Sequence, residues 1–299
     1  MKLKQSLFFK KENINLFISQ ILKGFGQIML QESRLTGVLF IAGIFAGSIE
    51  MGITSLSAVI IATIFAHIMN FNKENINSGL YGFSAALVGV AISLFFHNSL
   101  LSWIALIVGS IIAAWLQDFF INKKIPAYTL PFVLVTWLSL LIIKNIDNSI
   151  IKISGEIINT TPIWTVGFIS YGQVIFQGAL ISGILFFIGV LIKSPIAAIY
   201  GIVAALLASF ISLYIGQPII NIEFGLFGFN AVLCGIAMAG NKISDILWAL
   251  LATLLSLIVT FIFMKLGWVQ LTFPFVISCM IFSYVKYSMN NQSTMDNEQ

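Results

Sequence analysis

Charge is what this chain has least of. Asp, Glu, Lys and Arg together make up 9% of its 299 residues, against about a quarter in a soluble globular domain. Arginine occurs once, at Arg34, and the other basic residues are lysines in the polar breaks between apolar runs. A nucleic-acid footprint needs Lys and Arg clustered on one face, so no nucleic-acid partner is expected. Histidine occurs only as His67 and His97, and cysteine only as Cys234 and Cys279, both in apolar runs. There is no CxxC and no HExxH. With no nucleophile–base pair and no metal-ligand set, an enzyme is not expected, nor a cofactor, nor a metal. The cysteines read as buried small hydrophobes.

What the chain has is apolar sequence: 59% hydrophobic residues and a mean hydropathy of +1.02. That composition belongs to an all-α integral membrane protein with the lipid bilayer as its surroundings. A spanning helix takes about 20 apolar residues. Ten stretches approach that length: 35–50, 52–70, 79–97, 100–121 and 128–146, then 179–193, 195–215, 225–240, 244–266 and 269–288. Several are short or broken by glycine. Before them, Lys2, Lys4, Lys10 and Lys11 precede Ile14, Phe17, Ile18, Ile21 and Leu22 at helical spacing. No small-residue cleavage site follows, so this segment is expected to be an amphipathic membrane-surface helix or the first turn of a span.

The chain also repeats itself. GLYGFSAALVGVA at 79–91 returns as GLFGFNAVLCGIA at 225–237, an offset of 146 residues. GQIMLQ at 26–31 returns at the same offset as GQVIFQ, whereas TLPF at 129–132 returns as TFPF at an offset of 143. The expected organisation is an N-terminal cytoplasmic segment over 1–24, a first half over 25–147 and a linking loop over 148–165. A second half over 166–288 and a tail over 289–299 complete it. Five spans per half is an odd number, so the second half enters the membrane from the opposite side. Two inverted halves follow, with broken or re-entrant helices at a site between them. Ten spans put both termini on one side, and the N-terminal lysines make that side the cytoplasm. The Ile-, Asn- and Lys-rich usage suggests a bacterial inner membrane.

Polar residues that repeat inside apolar runs are the candidates for a site. Gln27 and Gln173 occupy equivalent places, and a neutral amide offers donors and acceptors without the desolvation cost of a charge. Glu223 lies two residues before the repeated Gly225, and its mate is Asn77; an ionisable residue there is a functional candidate. Thr129 and Thr272 each stand two residues before a proline. Phe83 and Leu87 return as Phe229 and Leu233, one helical turn apart on one face. The repeated glycines either mark a pathway or let helices pack closely. Such a set suits a small, flat, neutral, polar solute sliding between apolar walls along a file of oxygens. Ions are rejected because their hydration is not replaced. No chain of Asp, Glu or His crosses the spans, so conduction is expected to be passive.

The paired GQxxxQ, GLxGFxAxLxGxA and TxPF elements together resemble the urea transporter family, from about Gly24 to Val276. The resemblance implies a homotrimer with one pore per protomer and a thin slot that passes urea down its gradient. It places Gln27, Gln173 and Glu223 near the slot ends, with Asn77 and Phe224 beside them. Phe83, Leu87, Phe176, Phe229 and Leu233 become walls, and Thr129 and Thr272 the middle constriction. Two residues depart from the family pattern. Leu30 stands where a phenylalanine is usual, as Phe176 is, and Ser84 stands where an asparagine is usual, as Asn230 is. A channel for other small neutral amides or for ammonia is the alternative, although the two histidines do not repeat.

Overall fold

The computed structural model describes residues 11–152 and 162–296. Lys2, Lys4 and Lys10, residues 153–161 of the linking loop and residues 297–299 of the tail lie outside them. The first half contains α1 (Lys11–Gln27), α2 (Arg34–Gly47), α3 (Ile49–Ile68), α4 (Lys73–Asn77), α5 (Phe83–Phe95), α6 (Leu100–Asn122) and α7 (Leu130–Ile146). The second contains α8 (Val166–Gln173), α9 (Leu180–Lys193), α10 (Pro195–Tyr214), α11 (Ile219–Glu223), α12 (Phe229–Met238), α13 (Ile243–Leu266) and α14 (Phe273–Asp296). Among the described residues the β pairing is a single isolated bridge, Phe96 with Ile151.

Helices α2, α3 and α4 reappear as α9, α10 and α11 with both boundaries moved by 146 residues. Helix α12 is three residues shorter than α5, 10 against 13, and from there α6 and α7 begin again as α13 and α14 at an offset of 143. The slip between the sequence repeats is therefore a shortened helix. Local signals repeat with the boundaries. Ser48 caps α3 by accepting from the Met51 N–H at 3.2 Å, and Ser194 caps α10 by accepting from Ala197 at 3.3 Å. A serine oxygen there satisfies one of the orphan donors of the first turn.

Four helices are long and apolar enough to cross a bilayer by length and composition: α3, α6, α10 and α13, two at matching places in each half. The apolar helices α2, α5, α7, α9 and α12 are shorter, because turns consume the ends of the apolar runs. The run from residue 79 becomes helix only at Phe83, after a turn in which Gly79 takes φ +76°, and Gly225 repeats it at +71°. Gly89 and Gly235 serve close packing. A β-carbon on either would stand 2.5 Å from a carbonyl oxygen, that of Thr54 on α3 or Tyr200 on α10.

The halves meet through α2 and α9. Thr36 donates to the Gly189 carbonyl at 2.7 Å, and its mate Ser182 donates to the Gly43 carbonyl, the mate of Gly189, also at 2.7 Å. Between them Phe40 and its mate Phe186 meet edge to face, with ring centroids 5.2 Å apart. The start of each helix thus faces the end of the other, so α2 and α9 run antiparallel. All six residues are fully buried.

Thr36→Val keeps the side-chain volume and orphans a buried carbonyl. It and Ser182→Ala are each expected to cost about 1 kcal/mol, and the double variant about the sum, because the two bonds share no partner. Unfolding in mixed micelles measures this; no loss in either variant would contradict the interface described.

Candidate functional site

The strained positions of the backbone come in pairs. Every described residue with a left-handed φ has a mate in the other half: Leu30 with Phe176, Asn70 with Gly216, Gly79 with Gly225, Lys124 with Gly267, and Tyr128 with Leu271. Four of these pairs close a helix. At the first, the Gln31 N–H reaches the Gly26 carbonyl at 3.0 Å and the Leu30 N–H reaches Gln27 at 3.0 Å. In the second half Gln177 reaches Gly172 at 2.9 Å and Phe176 reaches Gln173 at 3.1 Å. This closure normally takes glycine at the left-handed residue. Leucine and phenylalanine pay a steric penalty there, and such outliers concentrate at functional sites. The repeated glutamines that follow, Gln31 and Gln177, fold back on Met29 and Ile175 carbonyls at 2.8 and 3.0 Å.

The threonines predicted for the middle do meet. Thr129 Oγ1 and Thr272 Oγ1 are 2.7 Å apart, one from each half, and both residues are buried. Each follows a left-handed residue and leads into a helix with proline near its start, α7 or α14. Proline is at ease there because the first turn lacks carbonyl partners for its N–H groups. Phe83, Leu87, Phe229 and Leu233 are all buried in one apolar cluster, which Phe176 packs against. The Phe176 ring also crosses to the first half, 6.1 Å from Phe132.

The residues predicted for the two ends lie in unlike surroundings. Gln27 is buried and donates to the Ser78 carbonyl at 3.0 Å. Asn77 is exposed, and its oxygen accepts from Gln20, which itself bonds His67 at 2.8 Å. His67 is thus tied to that turn. At the other end Gln173 and Phe224 flank Gly178. A β-carbon on Gly178 would be 3.1 Å from the Phe224 ring and 3.6 Å from the Gln173 amide nitrogen. Phe176 and Glu223 are half-buried, whereas Leu30 is 37% exposed.

Glu32 is absent from the sequence reading because its mate is Gly178, so it does not repeat. It sits on the turn after Gln27, paired with Lys23 at 2.7 Å. The Lys23 hydrogen bond, with a smaller contribution from Ser78, holds the Glu32 carboxyl below its ordinary value. Where the second half has Phe224 over Gly178, the first has Ser78 beside Glu32. Asp245 is a second acid missing from the sequence reading. It is buried at the start of α13, accepting from Lys286 at 2.7 Å and from the Lys242 N–H at 3.0 Å. It joins α13 to α14. Asp118 accepts from Tyr81 at 2.9 Å and from Asn122 at 2.8 Å.

With this geometry in view, a family model described as Urea transporter matches residues 18–287. The chain belongs to the urea transporter family. Among relatives, it is 22% identical to Urea transporter 1 of Rattus norvegicus over 242 residues, covering 75% of this chain and 63% of the rat protein. It is 21% identical to Urea transporter 1 of Ovis aries over 292 residues and to that of Capra hircus over 310. Those two alignments each take in 89% of this chain and 76% of the relative. The family match runs through both halves and holds every residue named above as a site candidate.

Because the folded carboxyl of Glu32 titrates below its unfolded value, the pair stabilises the fold above the ordinary carboxyl value of 4.5 and is lost as pH falls through the lower one. Glu32→Gln is expected to melt below the wild type at neutral pH and to converge with it in acid. The gap should also shrink in high salt, since the pair is solvent-exposed. Parallel melting curves at every pH would contradict this.

Proposed function

We propose that the chain conducts urea passively through a slot between two inverted halves, with Thr129 and Thr272 at its midpoint. The observation that carries this reading is the 2.7 Å contact between two buried threonine hydroxyls, one from each half. A hydroxyl has one donor and two acceptor sites. The bond between the pair uses one donor and one acceptor, so both oxygens keep capacity for the N–H groups of a passing amide. Apolar walls from Phe83, Leu87, Phe229 and Leu233 suit the faces of a flat molecule and give an ion nothing in exchange for its hydration. Phe176 is a wall as well, and Gln27, Asn77, Gln173, Glu223 and Phe224 serve the slot ends, with Leu30 on the less aromatic one.

The inverted arrangement has physical support as well. Equivalent helices that run antiparallel and exchange equivalent hydrogen bonds are related by a two-fold axis perpendicular to both. For helices crossing a bilayer, that axis lies in the membrane plane. Ten spans in two sets of five, a homotrimer with one slot per protomer, and a bacterial inner membrane with cytoplasmic termini complete the reading. Leu30 in place of an aromatic favours one second reading, in which other small amides or ammonia pass as well.

Stopped-flow light scattering on proteoliposomes under an imposed urea gradient tests the function, with and without a proton gradient. Fast urea relaxation that ignores the proton gradient is expected. Thr129→Val and Thr272→Val should each slow it by about fivefold, the equivalent of one hydrogen bond worth about 1 kcal/mol. No urea signal above empty liposomes would overturn the reading, and unchanged flux in both variants would move the midpoint elsewhere.

A further inference from the structure

The two threonines are held by different means, and the difference starts at one repeat position. In the second half Asn230 on α12 reaches the turn that carries Thr272. Its Nδ2 donates to the Leu271 carbonyl and its Oδ1 accepts from the Phe275 N–H, both at 3.2 Å. These groups lie on either side of Thr272. The amide thus ties the entry of α14 to α12, and all four residues are buried. The mate of Asn230 is Ser84. Its hydroxyl is fully buried and has no hydrogen-bond partner. Serine is too short to reach both a carbonyl and an N–H of the neighbouring turn, the two groups an asparagine amide bridges.

The turn that carries Thr129 has another anchor. Tyr128, just before the threonine, places its hydroxyl 2.7 Å from Ser283 Oγ on α14, and its ring lies edge to face on Phe275 at 5.1 Å. This anchor is not reciprocated. The mate of Tyr128 is Leu271 and the mate of Ser283 is Leu140, neither of which has a hydroxyl. Both threonines therefore take their position from α14: Thr272 through Asn230 and the helix entry, Thr129 through Tyr128, Phe275 and Ser283.

We propose that Asn230 is the positioning residue for the threonine pair, and that Tyr128 performs for Thr129 the task that Ser84 leaves undone. The inference rests on the urea reading for its transport readout. Neither residue is a wall or a rung. Each fixes the spacing of two hydroxyls, and that spacing decides how wide a solute is accepted. Loosening either anchor alters discrimination between urea and methylurea, and does not merely scale the amount of working protein.

The test compares wild type, Asn230→Ser, Tyr128→Phe, and Tyr128→Phe combined with Ser84→Asn, each shown monodisperse by gel filtration. Urea and methylurea fluxes are measured in proteoliposomes. Asn230→Ser and Tyr128→Phe are each expected to change the urea-to-methylurea ratio by about threefold or more, a shift on the scale of one net hydrogen bond. Ser84→Asn should return the ratio of Tyr128→Phe towards wild type, by giving the first half its own amide clamp. An unchanged ratio in both single variants would overturn the proposal, and failure of the rescue would overturn its second part. Hydrogen exchange gives a readout that needs no solute. The peptide containing Phe275 should exchange faster in Asn230→Ser, and the one containing Phe132 slower once Ser84→Asn is introduced. If wild type moves no urea but these shifts occur, the transport reading fails while the clamp stands; if exchange is unchanged, the clamp fails.

Discussion

Thr36 gives a hydrogen bond to Gly189 and Ser182 gives the equivalent bond to Gly43, and the centre of the molecule depends on that exchange. Buried carbonyls within apolar surroundings need partners. Here each half supplies the partner for the other, with Phe40 and Phe186 filling the space between. Because α2 and α9 are fixed antiparallel by contacts between equivalent residues, other equivalent segments face each other too. Thr129 and Thr272 are one consequence: two side chains 143 residues apart meet because their halves are bound reciprocally.

Duplicated sequence has kept backbone shape more faithfully than side chains. The left-handed pairs make the point: Asn70 against Gly216, Lys124 against Gly267, Tyr128 against Leu271. A helix can be closed by the same turn with quite different residues when the bonds that close it come from the backbone. Side chains were then free to diverge. Phe224 over Gly178 in the second half answers to Ser78 beside Glu32 in the first, and the amide of Asn230 to the short hydroxyl of Ser84.

This pattern explains what could be read from the sequence. The GLxGF, GQxxxQ and TxPF elements mark the halves, the family and the threonine pair, because identical residues at a fixed offset stand out. The apolar runs were legible, but not their helical lengths. Residues 79–82 look apolar and turn anyway, since a left-handed Gly79 ends one helical closure before Phe83 begins the next helix. Glu32 and Asp245 escaped notice for a physical reason. Their partners, Lys23 and Lys286, have no counterpart pairing in the other half, so no repeat advertised them. The difference between Asn230 and Ser84 was visible, but its meaning was not: the amide contacts a carbonyl and an N–H, groups that every residue carries.

The most direct measurement of the central claim is a crystal structure of the protein soaked with selenourea, with data collected at the selenium edge. The account predicts anomalous density between the faces of Phe83 and Leu87 and those of Phe229 and Leu233, beside the Thr129–Thr272 pair. Density confined to the outer clefts, with the threonine pair in direct contact and nothing beside it, would contradict the account.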